Sequence, residues 1–298
     1  MPQFVLRGGG YHAEITEAGA ALRVLRHGSR DLVADWPEGG PVPHYSGTLL
    51  APWPNRVARG RYTFAGEPLE VPVNEPERGH ALHGLVAFAP WELVEVPAGD
   101  GDRAFVRLAH TIEPTPGYPF RLALQVRYAV GPDGLTTTLT AENVGDGPAP
   151  YGCGPHPWLI ADAGQEATWR LGLPAERVLR TDEVLIPTTL EPVAGTTYDF
   201  RTPRPLGDTS LDEAFTGLAA DADGLARVAV TGPAGGVEIS WDPQVLPWVQ
   251  VCTGSGFGQR GLAVEPMTCP PDAFNSGTDV IVLAPGDKHE AAWTITAR

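Results

Sequence analysis

The chain has 298 residues, of which 42% are apolar, and carries a formal net charge of -15. This length and apolar content argue for a folded protein with a sizeable core and against disorder. The negative charge disfavours nucleic acid and anionic membrane surfaces as partners, because both bind basic proteins. No run of 18 apolar residues predicts a membrane span.

The chain has three scattered cysteines, Cys153, Cys252 and Cys269. Their odd number and the lack of a C-x-x-C pair predict reduced thiols rather than a disulfide framework. The amino-terminal segment lacks the apolar stretch of a secretion signal, so we expect a cytoplasmic protein. Lys288 is the only lysine and lies in a polar turn, which argues against Schiff-base chemistry.

Short alternating apolar runs, separated by glycines and charged turns, predict antiparallel strands along the whole chain. In the first half they lie at 4–6, 11–15, 21–25, 31–34, 61–64, 69–73, 91–96, 104–112, 120–130 and 135–143. In the second half they lie at 168–173, 177–184, 226–231, 237–241, 249–252, 262–264, 280–283 and 291–296. One short helix is predicted at 211–218. We predict an all-β fold with two large antiparallel sheets packed face to face, as one domain over 1–298.

The stretch 150–159 is built from residues that fix or bend the backbone, and His156 lies at its centre. Three prolines fix φ, and two glycines permit turns. A histidine between two prolines cannot lie inside a helix and fits poorly in a central strand, so we expect it on an irregular edge. Tyr151 and Trp158 offer aromatic surface of the kind on which sugars stack. The alternative is a rigid loop in which His156 only bonds a neighbouring carbonyl.

Three polar side chains accompany apolar segments in the second half of the chain. Glu265 ends an apolar strand just before a proline, where partial burial would raise its pKa and make it a better base. Gln250 lies in an alternating run and points either into a cleft or to solvent. Asp212 either accepts a hydrogen bond from a ligand hydroxyl or caps the short predicted helix.

Two further polar segments lie in the first half of the chain. Arg56, after Asn55, offers a planar set of donors suited to carboxylates, phosphates or paired hydroxyls, or simply covers Trp53. His80 and His83 have the spacing of a metal pair on a helix. Because no helix is predicted there and no third ligand is close in sequence, we predict no metal site.

Together these segments resemble the aldose 1-epimerase (galactose mutarotase) family. The matching segments are, in order, Asn55-Arg56, a Gly-x-Tyr-x-Phe-x-Gly hairpin at 60–66, His-x-Leu-His-Gly at 80–84, Gly-x-His-Pro at 154–157, Asp212 ahead of Phe215, Gln250 in its strand, the Val-Glu pair ending at Glu265, and Pro-Asp-Ala-Phe-Asn at 271–275. They extend over most of the chain, and their shared order makes the resemblance specific.

The resemblance implies a galactose mutarotase-like supersandwich, a large antiparallel β-sandwich that is a monomer or homodimer and needs no cofactor. It implies interconversion of the α and β anomers of a free aldohexose, a small-molecule sugar. Glu265 would be the general base and His156 the general acid. The residues that would bind sugar hydroxyls or orient the ring are Asn55, Arg56, His83, Asp212 and Gln250.

The residue types suit this chemistry. Ring opening requires that the C1 hydroxyl lose a proton while the ring oxygen gains one, which a carboxylate and an imidazolium on opposite sides of the ring can accomplish. Histidine, with an ordinary pKa of about 6.5, suits proton transfer near neutral pH.

The neighbours of the proposed catalytic pair depart from the family pattern. The usual His-Pro-Tyr-Phe is His156-Pro-Trp-Leu here, and the usual Glu-Thr-Gln is Glu265-Pro-Met. The mutarotase interpretation therefore holds better than any assignment of galactose.

Three alternatives stay open. The first is a mutarotase for a phosphorylated or otherwise modified sugar, and the second is a non-catalytic sugar-binding or sensing protein on the same fold. The third is a metal-dependent sugar isomerase. The extra cations for a phosphate would be Arg59, Arg61 and Arg78, and the metal ligands would be His80, His83, His156 and Glu265.

Overall fold

The computed structural model describes residues 3–164 and 166–298, with the backbone alone at 97–100, 255 and 257. The strands of the first third are β1 (Gln3–Gly8), β2 (Tyr11–Thr16), β3 (Leu22–His27), β4 (Arg30–Asp31), β5 (Leu49–Leu50), β6 (Arg56–Val57), β7 (Arg61–Phe64), β8 (Glu67–Glu70) and β9 (Ala81–Leu82). Those of the middle are β10 (Glu92–Asp100), β11 (Arg103–Ile112), β12 (Leu122–Gly131), β13 (Gly134–Asn143), β14 (Ala149–Tyr151), β15 (Gly154–Pro155) and β16 (Trp158–Leu159).

The remaining strands are β17 (Arg170–Gly172), β18 (Ala175–Thr181), β19 (Pro187–Pro192), β20 (Arg204–Pro205), β21 (Asp212–Leu218), β22 (Ala226–Gly232), β23 (Gly235–Trp241), β24 (Trp248–Thr253), β25 (Leu262–Met267), β26 (Ile281–Leu283) and β27 (Lys288–Ala297). Helical structure in the described residues is limited to α1 (Ala273–Ser276) and short 3-10 turns at Pro43–Tyr45, Ala58–Gly60, Glu166–Thr168 and Gly254–Phe257. No helix among these residues is long and apolar enough to cross a membrane.

Antiparallel pairing joins most of the described strands into two large sheets. The larger sheet has the order β10-β11-β12-β13-β27-β23-β22-β17-β20, and the smaller has the order β16-β25-β24-β21-β18-β19. A further sheet, β1-β2-β3-β4, packs through β1 on β11 and β12. The predicted all-β class is therefore confirmed.

A continuous hydrophobic cluster contains residues of both large sheets. The larger sheet contributes Val126 and Ile239, and the smaller contributes Val249, Val251 and Val264. Because successive side chains of a strand point to opposite faces, these valines place Gln250 and Glu265 on the face of the smaller sheet that is turned away from the cluster. The alternation predicted for β24 thus brings Gln250 to the face that carries the candidate site.

The helix predicted at 211–218 is wrong, because this segment is strand β21. It pairs with β24 on one side and β18 on the other. Phe215 enters the main cluster while Ala214 packs on the other face with Trp248. Asp212 therefore begins a strand instead of capping a helix.

Candidate active site

The structure brings the seven candidate residues into one connected polar cluster. Six of them are buried, and Asp212 is partly exposed. They come from segments far apart in the sequence: the β6 and β9 region, the turn between β15 and β16, and the strands β21, β24 and β25. A separate surface cavity of about 370 Å³, lined in part by Glu166 and Trp169, contains none of the seven.

Glu265, Gln250 and Asp212 form the part of the cluster that lies on the smaller sheet. Gln250 and Glu265 are register partners on β24 and β25. The Gln250 Nε2 donates to Asp212 Oδ1 at 2.7 Å. Gln250 Oε1 and Glu265 Oε2 are buried without a hydrogen-bond partner. The sequence pattern predicts Glu265 at the end of a strand, but Glu265 lies inside β25. Its side chain is only 2% exposed.

His156 lies in the irregular turn between β15 and β16, as its flanking prolines predict. Its peptide N–H donates to Thr48 O at 3.1 Å, and its carbonyl accepts from Gly47 N at 2.8 Å. Its Nε2 lies 3.3 Å from Glu265 Oε1. The expectation that the acid and the base flank opposite sides of a sugar is wrong for this geometry, since no ring fits between groups in contact.

The short distance between His156 Nε2 and Glu265 Oε1 nevertheless suits the anomer interconversion that the resemblance implies. O1 and the ring oxygen are bonded to the same carbon, so two adjacent protein groups can reach both atoms from one edge of the ring.

Asn55 and His83 hold each other by two hydrogen bonds. The Asn55 N–H donates to His83 Nδ1 at 3.2 Å, and the His83 N–H donates to Asn55 O at 2.8 Å. Both residues have left-handed backbones, with φ of 54° and 61°. Because Nδ1 accepts a proton donor, the neutral imidazole carries its hydrogen on Nε2. His83 therefore presents a donor towards His156, whose ring centroid lies 5.0 Å away.

Glu75 is a functional candidate that the sequence analysis missed. It accepts from Arg56 Nε and Arg56 Nη2, both at 2.8 Å, in a buried bidentate ion pair. Arg56 Nη1 also donates to Asn55 Oδ1 at 3.3 Å. A guanidinium has five N–H groups, so two remain on the far end of Arg56 for a ligand. Arg56 is also close enough to Asp212 and Glu265 to interact electrostatically with both.

Burial shifts the pKa values of both Glu265 and His156 towards their uncharged forms. Desolvation, reinforced by the negative charge of Asp212, raises the pKa of Glu265 well above its ordinary value, and the Arg56 charge opposes this shift. Desolvation lowers the pKa of His156. Both shifts favour the uncharged forms, a protonated Glu265 carboxyl and a neutral His156 imidazole. This arrangement differs from the imidazolium and carboxylate expected from ordinary pKa values.

The possible metal ligands gather only in part. Ligand atoms of His83, His156 and Glu265 lie within 4.8 Å of one another, and His80 is not a member of this group. His80 Nδ1 instead accepts from the Arg59 N–H at 3.0 Å. A metal on His83 would have to displace either the Asn55 N–H from Nδ1 or the hydrogen from Nε2. The donor set therefore fits a proton-transfer site better than a metal site.

The predicted aromatic surface is only partly near the cluster. Trp158 lies with its ring centroid 5.7 Å from that of His156 and donates from Nε1 to His44 O at 3.1 Å. Tyr151 is fully buried in the main core and cannot contact a ligand. Tyr45, which the sequence analysis did not single out, packs on His83 instead, with ring centroids 4.6 Å apart.

The extra cations considered for a phosphate are dispersed. Arg78 Nη1 donates to Glu75 at 2.8 Å and so lies beside the cluster. Arg61 is exposed on β7 and pairs with Glu70.

A nine-stranded sheet and a six-stranded sheet share one hydrophobic cluster, and a buried carboxyl and imidazole lie in contact within the polar cluster beside the smaller sheet. This arrangement defines a large antiparallel β-sandwich with one candidate acid–base pair. The family model described as Aldose 1-epimerase matches residues 2–296, and the chain belongs to this family. It is 37% identical to the uncharacterised Escherichia coli K12 protein YihR over 292 residues, which cover 97% of this chain and 91% of that protein.

Two further comparisons agree. The chain is 30% identical to the galactose mutarotase of Mus musculus over 168 residues, which cover 55% of this chain and 47% of the mouse protein. The crystal structure of a galactose mutarotase-like protein from Clostridium acetobutylicum has a TM-score of 0.88 at 15% identity, covering 98% of this chain and 93% of that one. The latter shows likeness of fold, and the predicted galactose mutarotase-like sandwich is thus confirmed.

Proposed function

We propose that the protein interconverts the α and β anomers of a free aldohexose by acid–base ring opening, with Glu265 as base and His156 as acid. The observation that carries this proposal is the 3.3 Å contact between His156 Nε2 and Glu265 Oε1 in a buried cluster of sugar-binding groups. Asn55, Arg56, His83, Asp212 and Gln250 supply the donors and acceptors that hold the sugar hydroxyls.

The reaction needs only the one proton that the pair holds. Transfer from Glu265 to His156 across their contact gives a carboxylate and an imidazolium, and the positive charge of Arg56 favours the carboxylate. The carboxylate then removes the O1 proton while the imidazolium protonates the ring oxygen, and the C1–O5 bond breaks. The products are the open-chain aldehyde, a protonated Glu265 and a neutral His156.

This end state has the proton distribution that burial favours in the free enzyme. After rotation about C1–C2, the carbonyl presents its other face, and ring closure runs the same transfers in reverse. No proton enters from solvent, which suits a buried site. Each positioned transfer contributes on the order of 10²–10⁴-fold to the rate.

The test is optical rotation of freshly dissolved α-D-glucose and α-D-galactose in weak buffer, with and without enzyme. We expect acceleration by the wild type and its loss in Glu265→Gln and His156→Ala. Glu67→Gln, which removes the same charge from an exposed position on β8, is the matched control and should retain activity. Full activity of Glu265→Gln would refute the assignment of the base.

The same experiment separates the two sugar-binding alternatives. Binding of both sugars without acceleration would favour a non-catalytic protein. Absence of binding would favour a modified sugar, and phosphorylated hexoses would then be tested in the same assay.

A further inference from the structure

Tyr45 contacts two of the candidate residues but has no role in the proposed function. Its ring meets that of His83 edge-on, with centroids 4.6 Å apart, and lies nearly parallel to that of His156, with centroids 6.1 Å apart and an interplanar angle of 24°. Both imidazoles are buried, whereas Tyr45 is partly exposed. Tyr45 is therefore a partly exposed side chain in contact with the buried histidine pair.

An aromatic surface continues from Tyr45 to the outside of the molecule. The ring of Phe88 lies 4.9 Å from that of Tyr45, centroid to centroid, and Phe88 is 54% exposed. Exposed apolar side chains that adjoin one another are more informative than single ones, and here the exposed Phe88 ring adjoins the partly exposed Tyr45 ring. The rings of Phe88 and Tyr45 thus form a continuous series of aromatic contacts from an exposed position to His83 of the polar cluster.

The backbone that carries Tyr45 is strained and firmly held. His44 and Tyr45 both have left-handed backbones, with φ of 43° and 56°, which is unfavourable for residues with a Cβ. The Tyr45 carbonyl accepts from both the N–H and the hydroxyl of Thr48, at 3.0 and 2.8 Å. Gly47 and Thr48 in turn bond the backbone of His156 on either side. Strain of this kind persists where a structure must fix a side chain in a particular place.

The Tyr45 hydroxyl can donate a hydrogen bond to a ligand. Asn74 Nδ2 donates to Tyr45 Oη at 3.3 Å, so the phenol hydrogen is not used in that bond. Burial and the charge of Glu75 raise the pKa of the phenol, which keeps this hydrogen in place at neutral pH. The hydroxyl is thus a donor at the edge of the cluster to which the proposed function assigns the sugar hydroxyls.

We propose that Tyr45 contacts the bound sugar, with its ring against an apolar face and its hydroxyl donating to a sugar oxygen, and that Phe88 extends this contact outward. The proposal rests on the proposed function of the same site. It adds a sugar-contacting residue from the 3-10 turn at Pro43–Tyr45, to which the sequence analysis assigned no role.

The test compares Tyr45→Phe, Tyr45→Asn and Phe88→Ala in saturation kinetics on the preferred sugar, together with sugar binding by saturation-transfer NMR. Phe88→Ala should raise KM, and an unchanged KM would refute the outward extension of the contact. Tyr45→Phe removes only the hydroxyl and should raise KM about 3- to 10-fold with kcat nearly unchanged, as for a lost hydrogen bond between uncharged groups. Tyr45→Asn removes the ring but tolerates the left-handed backbone, and should lower affinity at least about tenfold.

Tyr62→Phe is the matched control, because the Tyr62 hydroxyl is buried and donates to Gly117 O at 2.8 Å. It should leave KM unchanged. Wild-type KM in both Tyr45 variants would overturn the proposal, as would a fall in kcat alone, which would indicate that Tyr45 only positions His156. If Tyr45→Asn fails to fold, Tyr45→Phe decides. A wild type that neither accelerates nor binds any sugar refutes the proposed function itself, whereas an active wild type with unchanged variants refutes only the role of Tyr45.

Discussion

Replacing Glu265 by Gln tests whether the buried carboxyl holds a proton at neutral pH. Burial raises the pKa of Glu265 well above the ordinary value, which is about 4.3 for the unfolded chain. Between these two pKa values the folded protein binds a proton that the unfolded chain has lost. The stability of the wild type must therefore fall as the pH rises through this range.

The slope follows from the linkage relation. One proton difference changes the free energy of unfolding by about 1.4 kcal/mol for each pH unit. The amide of Glu265→Gln does not titrate, so the variant should gain this amount over the wild type with each unit inside the range. The lowered pKa of His156 acts in the opposite direction, since its contribution to stability is lost as the pH falls below about 6.5. To first order that contribution is common to both proteins and cancels in their difference.

The assay is urea unfolding of the wild type, Glu265→Gln and Glu67→Gln at several values over roughly pH 5 to 8. Melting temperatures should move in parallel, by about 2–4 °C for each kcal/mol. Because the variant should be catalytically inactive, it would combine higher stability at neutral pH with lost function. A stability difference that does not change with pH would show that Glu265 is already ionised in the folded protein, and would refute the single-proton pair.

Three other consequences can be measured. Asp212 raises the pKa of Glu265, so Asp212→Asn should move the alkaline limb of the kcat/KM profile to lower pH, and an unmoved limb would contradict this coupling. Glu75→Ala leaves Arg56 buried without its carboxylate, and should lower the free energy of unfolding by about 3–5 kcal/mol and raise KM; unfolding at unchanged urea concentration would contradict it. Burial raises the pKa of Cys153 and Cys269 to about 12, so an aromatic disulfide reagent should label them only after denaturation. Rapid labelling of either thiol in the folded protein would refute this expectation.

The fold was predictable because alternation is a local property of a strand. The Gly-Pro-Asp-Gly turn at 131–134 joins β12 and β13 as its residues predict, with Gly131 opposite Gly134. The error at 211–218 has a non-local cause. The segment becomes strand β21 because it pairs with β18 on one side and β24 on the other. Nothing within the segment itself indicates these two partners.

The composition of the site was predictable only through the order of its segments. Glu75 illustrates the limit: a buried arginine requires an anionic partner, so the partner's existence could be inferred from Arg56, but its position could not. The role of Tyr45 was harder still to predict. The left-handed backbone of His44 and Tyr45, which fixes the position of the ring, cannot be recognised from the sequence Pro-His-Tyr-Ser.

The protonation of His156 and Glu265 was the hardest feature of the site to predict from the sequence, because it depends on burial. From ordinary pKa values, His156 would be the charged partner near its titration point and Glu265 an anion. In the folded protein both lie in the same desolvated cluster, and desolvation disfavours either charge. Both shifts therefore favour a pair without net charge, and in the proposed mechanism ring opening returns the pair to that state. In the proposed mechanism these two groups exchange a proton across their contact, so both must lie in the same desolvated cluster, which β25 and the turn between β15 and β16 together provide.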